Sequence, residues 1–256
     1  MQHHAERSEL QRRRRAAIAA SGLALALGAC GGGDEPPAPA KRSPAPTATR
    51  AATPAAPPAR RVRFRASDGK PVKGVYRRAD AVAPAVVLVN GLVGGVDQWD
   101  ALTPYLHDAG FATLAYDGRG GVDEAALVKE VAGAVAFLRR RPDVDARRLG
   151  IAGSSVGAST AVLAMTGPDR RWLRAAVALS PPAAPALDAL MEEDRYHPRN
   201  VLFVSDQRER SAVKSLTRGA IDSRTAVSEM IGHGAALLET ETNRRVVLDW
   251  LERHLE

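Results

Sequence analysis

Between Arg148 and Met165 a short apolar run, Leu149-Gly-Ile-Ala152, gives way to a helix-forming run, Val156 to Met165, across the pentapeptide Gly153-Ser154-Ser155-Val156-Gly157. Gly153 and Gly157, placed symmetrically about Ser155, let a strand and the helix after it approach without Cβ clashes, and a residue on such a turn is lifted clear of the sheet edge. Ser155 is therefore a candidate nucleophile. Ser154 fits that position poorly, because its own flanking residues are Ala152 and Val156, and Val156 would crowd the turn. The plainer reading of the same letters is a Gly/Ser-rich helix start, in a chain with 22 glycines. The strand-like run before the pentapeptide and the helix-like run after it favour the nucleophile.

At ~100 to 200 residues per domain, the 256 residues hold one catalytic-sized domain and an appendage. Apolar residues make up 45% but aromatics only 4%, so the core is built from Ala, Val and Leu. The formal charge of +7 raises nucleic acid or membrane as a partner. Much of that charge lies near the N-terminus, in Arg12 to Arg15, Lys41, Arg42 and Arg50, and no basic helix interleaved with aromatics follows; no nucleic-acid partner is expected. Cys30 is the single cysteine, which leaves no intrachain disulfide and no cysteine-based metal cluster.

Arg12 to Arg15 precede Ala16 to Ala29, an apolar stretch too short to cross a ~30 Å hydrocarbon core comfortably, and residues 1–29 read as a signal peptide. Its end, Leu27-Gly28-Ala29-Cys30, resembles the lipobox of bacterial lipoproteins. That resemblance implies cleavage before Cys30, a lipid on its sulfur, and an exported protein anchored to the cell envelope, at the periplasmic face or the outer membrane. Gly31 rather than Asp after the cysteine is, by the same resemblance, compatible with outer-membrane sorting. Residues 30–60 are rich in Gly, Pro, Ala and Thr without apolar periodicity, the composition of a tether reaching ~90 Å at full polyproline extension. The folded domain is expected from Arg61 onward.

Arg61 to Ala66 and Val72 to Arg77 alternate with period two around the turn Ser67-Asp-Gly-Lys-Pro71 and predict an antiparallel hairpin. Ala85 to Val89 is a continuous apolar run, as in a strand buried on both faces. A glycine loop, Gly91 to Gly95, leads to a helix through His107 with Asp97 as its cap, and Phe111 to Tyr116 forms the next strand. Leu127, Val131, Val135 and Leu138 mark a helix over Asp123 to Arg140. Beyond the elbow come strands at Ala175 to Leu179, Val201 to Val204 and Thr225 to Met230, then helices at Ser211 to Arg218 and Glu239 to Leu255. Strands alternating with helices predict an α/β fold with a mostly parallel sheet and chemistry at the carboxyl ends of its strands.

This order of elements, with the elbow, resembles the α/β-hydrolase family over residues 61–256, in particular its lidless esterases and dienelactone hydrolases. The resemblance implies a central sheet of about eight strands, an antiparallel N-terminal hairpin, helices on both faces and the chain order nucleophile, acid, histidine. Ser155 comes first. His233, in Met230-Ile-Gly-His-Gly234 just after the last strand, stands where the family keeps its general base. His107 and His254 fall in helices, His197 precedes a strand, and His3 and His4 precede the signal. The acid is Glu209 or Asp206, with Glu209 preferred because the family's acid falls a few residues beyond its strand. The backbone N–H groups of Leu92 and Val156 match the family's oxyanion hole, although Asn90-Gly91 stands where relatives carry His-Gly. Asp117, Arg119 and Gly120 resemble the family's Asp-x-Arg-Gly turn and are read as structural.

Pro181 to Arg199 leave room for one short helix and no lid domain, predicting an open, shallow site with Pro181, Pro182, Leu187 and Met191 as lining and small esters as substrates. The chain thus reads as an envelope-anchored serine hydrolase of carboxylic esters or thioesters. Its partners are a small ester and, through Cys30, the membrane. Other uses of the same scaffold are a peptidase or amidase, or a surface-binding lipoprotein without activity. No metal or organic cofactor is implied: the chain has no His-Glu-x-x-His type cluster, no phosphate-binding loop and no dinucleotide fingerprint.

Overall fold

The computed structural model describes residues 58–256. The signal peptide, Cys30 and almost all of the proposed tether lie outside the described residues. The hairpin opens at Ala59 rather than Arg61, with β1 (Ala59–Arg65) and β2 (Pro71–Arg77) antiparallel and Phe64 opposite Val72. β3 (Ala83–Val89) is buried along its whole length, as its unbroken apolar sequence requires. β4 (Ala112–Asp117), β5 (Val144–Ser154), β6 (Leu173–Leu179), β7 (Val201–Asp206) and β8 (Arg224–Ser228) complete one sheet in the order β1-β2-β4-β3-β5-β6-β7-β8. From β4 to β8 every pairing is parallel; β2 runs against both of its neighbours, β1 and β4.

Six helices cover the sheet: α1 (Thr103–Asp108), α2 (Glu124–Arg139), α3 (Val156–Thr166), α4 (Pro185–Glu192), α5 (Arg210–Thr217) and α6 (Glu241–Leu255). Successive strand residues face opposite ways, so the buried strands feed two cores. Val87, Ile151 and Phe203 pack with α2, α3 and α5, whereas Val86, Leu88, Ala152 and Leu202 pack with α1 and α6. Between β6 and β7 there is only α4, so no lid covers the carboxyl edge.

The elements differ from the sequence expectation in two informative places. The single helix expected through His107 is split into a 3-10 turn, Val96–Trp99, and α1. Pro104, second in α1, has no N–H to donate to the Asp100 carbonyl, so the helical hydrogen-bond ladder cannot run on from the preceding turn. Asp97 is inside that turn, accepting the Gly95 N–H at 3.0 Å, and Gly95 holds the cap position assigned to it. The last strand ends at Ser228, not Met230, because the Ser228 hydroxyl accepts the Met230 N–H at 3.1 Å and turns the chain.

Helix α2 meets β1 closely at Gly133. A Cβ there would overlap the Arg65 carbonyl oxygen and come within 2.7 Å of Ala66 Cα, where the Ser67 N–H also donates to the Lys129 carbonyl at 2.9 Å. In an exposed helix a Gly-to-Ala change stabilises by about 1 kcal/mol. Here Gly133→Ala is expected to lower the unfolding free energy in urea by about 1 to 3 kcal/mol through overpacking; an unchanged or raised value contradicts this packing.

Candidate active site

Strand β5 ends at Ser154 and helix α3 begins at Val156, leaving Ser155 between them at φ 53°, ψ −121°. For a residue with a Cβ that backbone costs on the order of 1–3 kcal/mol and persists only if its surroundings impose it. They do so here through hydrogen bonds: the Ser155 N–H donates to the Leu179 carbonyl at 2.9 Å, and its own carbonyl accepts the Ala158 N–H at 2.8 Å. The flanking glycines make the approach feasible. A Cβ on Gly153 would overlap the Gly157 carbonyl, and one on Gly157 would overlap the Val89 and Asn90 carbonyl oxygens.

The turn presents the Ser155 hydroxyl to His233, whose Nε2 is 2.8 Å from Ser155 Oγ although 78 residues separate them in sequence. The other ring nitrogen, Nδ1, is 2.5 Å from Glu209 Oε1. The structure thus brings Ser155, His233 and Glu209 into one hydrogen-bonded line at the carboxyl edge of the sheet. Asp206 is not part of it. Its buried carboxylate takes Arg208 Nε at 2.8 Å and the Arg208 N–H at 2.9 Å, and the Arg208 guanidinium holds the carboxyl below the ordinary aspartate range. Asp206 also accepts the Glu209 N–H at 3.2 Å, which shapes the turn that carries Glu209 to the ring.

Two buried side chains pin the backbone on either side of His233. Asp206 accepts the Gly232 N–H at 3.3 Å, and Ser154 Oγ accepts the Ala235 N–H at 2.9 Å. Ser154, dismissed as nucleophile, therefore clamps the histidine loop onto the elbow. The remaining described histidines are engaged elsewhere: His254 Nδ1 lies 2.8 Å from the Trp250 carbonyl and His197 Nε2 3.1 Å from that of Asp194, while His107 lies in α1.

The loop after β3 is held from the 3-10 turn. Trp99 Nε1–H donates to Asn90 Oδ1 at 2.8 Å, the Gly91 N–H donates to Gln98 Oε1 at 3.2 Å, and Gln98 Nε2 donates back to the Val93 carbonyl at 2.8 Å. Asn90, in place of the expected histidine, is thus a scaffold residue for this loop. Among the described residues the Leu92 N–H has no protein acceptor, and the Val156 N–H, first in α3, has none within its helix. Leu92 borders a cleft of about 600 Å³ that contains Ser155 and His233, is walled by Gln98, Ala235 and Ala236, and carries Asp97, Asp100 and Glu239.

An apolar groove of about 870 Å³ runs beside Val156, between α2, α3 and the segment Pro182 to Ala186. Of the residues expected to line the site, only Pro182 borders it. Leu187 is fully buried because α4 turns that face into the core, Pro181 is buried, and Met191 packs half-buried against the core. Arg119 acts structurally: its Nε pairs with buried Glu130 at 2.6 Å and its Nη1 with Asp68 at 2.8 Å, tying the loop after β4 to α2 and to the β1–β2 turn. Gln98, Trp99 and Ser154 carried no motif that would single them out beforehand.

No family model matches the sequence, and no curated protein is significantly similar to it. Solved structures do match. An esterase of Pyrococcus furiosus superposes with a TM-score of 0.63 at 15% identity, over 78% of this chain and 94% of the other. A dienelactone hydrolase of Anabaena variabilis gives 0.65 at 15%, over 77% of this chain and 99% of the other. The protein has the α/β-hydrolase fold, with an eight-stranded sheet and the antiparallel hairpin at its start.

Because the Asp206 carboxyl titrates below its unfolded range, its contribution to stability is fully present above about pH 4 and is lost as pH falls through its depressed folded value. Asp206→Asn is therefore expected to unfold in less urea than the wild type at pH 7, with the gap closing in the acid range. A gap independent of pH contradicts this role for the carboxylate.

Proposed function

We propose that the protein is a serine hydrolase that cleaves carboxylic esters or thioesters through an acyl-enzyme on Ser155. The observation that carries the reading is the unbroken relay from Ser155 Oγ through the His233 ring to Glu209, at 2.8 and 2.5 Å. Neutral His233 takes the hydroxyl proton as Ser155 Oγ attacks the carbonyl carbon, then returns it to the leaving group as the acyl-enzyme forms. Glu209 accepts the Nδ1–H, fixes the tautomer and stabilises the imidazolium formed during attack. Water then repeats the cycle and releases the acid. The oxyanion of each tetrahedral intermediate is stabilised by the N–H groups of Leu92 and Val156, each such donor being worth about 2.7–4 kcal/mol.

The likeness to an esterase and a dienelactone hydrolase supports ester over amide chemistry. The cleft at Ser155 receives the leaving group, and the apolar groove beside Val156 receives the acyl chain. The enzyme is held at the bacterial envelope by a lipid on Cys30, a reading that rests on the sequence before residue 31.

A fluorophosphonate probe is expected to label the wild type and not Ser155→Ala. Glu209→Gln is expected to lose about 10³- to 10⁴-fold in kcat for p-nitrophenyl butyrate, while Asp206→Asn retains most of it. Labelling that survives in Ser155→Ala, or a deeper loss in Asp206→Asn than in Glu209→Gln, contradicts the assignment. In a series of p-nitrophenyl esters, acetate to octanoate is expected to turn over faster than palmitate; a maximum at palmitate refutes the acyl-chain reading.

A further inference from the structure

The parallel strands give the domain two unlike edges. Ser155, Glu209 and His233 stand at the carboxyl edge, and the opposite edge, where β5 and β6 begin, is crowded with arginine. Arg139 to Arg141 close α2, Arg147 and Arg148 lie early in β5, Arg170 and Arg171 lie in the 3-10 turn after α3, and Arg174 opens β6. These segments form one surface. The Arg139 guanidinium stacks 3.2 Å over the Trp172 ring, Arg171 stands 5.2 Å from the same ring, and Arg174 Nε donates to the Arg147 carbonyl at 3.0 Å.

Opposing carboxylates are few. Asp143 is paired with Arg141, Asp145 with Arg147 and Arg148, and Asp169 is half-buried; Glu256, at the end of α6, borders the surface. Arg139, Arg140, Arg170, Arg171 and Arg174 are exposed, and the Arg147 side chain is 85% accessible.

We infer that this edge is a docking surface for anionic phospholipid headgroups. Guanidinium groups chelate phosphate oxygens in pairs and stay charged at any physiological pH. Trp172, half-buried among them, is of the residue type that settles at headgroup depth. The position at which the chain enters the domain favours a membrane over nucleic acid. β1 runs parallel to β4, so Ala59, opposite Arg77, enters at this same edge, with every residue from Cys30 onward preceding it. A chain anchored through its N-terminal segment therefore has its tether attached at the arginine edge and not at the carboxyl edge. Arg148 and Ser155 are separated along β5 by about 23 Å of strand, which turns the proposed cleft away from the lipid. The surface needs no catalysis, and its assignment to a membrane rather than nucleic acid rests on the proposed anchoring of the N-terminal segment.

The test is flotation of the full chain carrying Cys30→Ala, taken as the reference in place of wild type, with phosphatidylcholine vesicles, with and without phosphatidylglycerol, at low and high salt. The reference is expected to bind the phosphatidylglycerol vesicles and to be released by salt. Replacing Arg140, Arg147 and Arg170 together by Gln is expected to weaken binding about 100-fold, and by Glu more. A control with Arg65, Lys70 and Lys73 replaced by Glu, all at the carboxyl edge, is expected to bind as the reference does. Unaltered binding in both the Glu and Gln triples, or equal loss in the control, overturns the inference. Preference of the reference for a DNA duplex over the anionic vesicles at equal salt also overturns it.

Discussion

Everything at the site follows from how closely helix α3 is drawn against the end of β5 and the neighbouring β3. At Gly153 and Gly157 backbone stands where a side chain would otherwise be, and the junction residue is forced into the positive-φ region. The same junction leaves the first N–H of α3, next in sequence to Ser155, without an acceptor in its own helix. Strain and chemistry therefore come from one contact, in which parallel strands on either side hold an uncomfortable turn that an isolated segment would relax.

The second constraint is rigidity around His233. A loop beyond the final strand is by default mobile, and an imidazole displaced by an ångström cannot serve a hydroxyl. Here the loop is gripped from two strands that flank β6, by Asp206 at the end of β7 and by Ser154 at the end of β5, on either side of the histidine. Gln98 and Trp99 do the same for the loop after β3. The parallel sheet supplies the ends of β5 and β7, the 3-10 turn supplies Gln98 and Trp99, and these side chains convert loose connections into fixed ones.

What the sequence reveals follows the range of the forces involved. The elbow is local: glycine spacing and a switch from strand to helix pattern lie within eighteen letters of Arg148 to Met165. The buried strands are equally legible, since Ala83–Val89 could only be covered on both faces. Choosing Glu209 over Asp206 was a narrow matter of offset, because both are carboxylates beyond one strand. Which of them faces the His233 ring is a tertiary matter: Arg208 and Gly232 occupy Asp206. The inward turn of Leu187 and the clamp by Ser154 depend on where α4 and the histidine loop dock, and no periodicity encodes that. The break between Trp99 and Thr103, by contrast, is legible in Pro104, which cannot donate the bond that would continue one helix through it.

The account is tested most directly by a crystal structure of the protein after reaction with a phosphonate ester. It predicts a covalent bond from Ser155 Oγ to phosphorus, with the phosphoryl oxygen within hydrogen-bonding distance of the Leu92 and Val156 N–H groups. An adduct on any other residue, or an oxygen turned away from both groups, would contradict it.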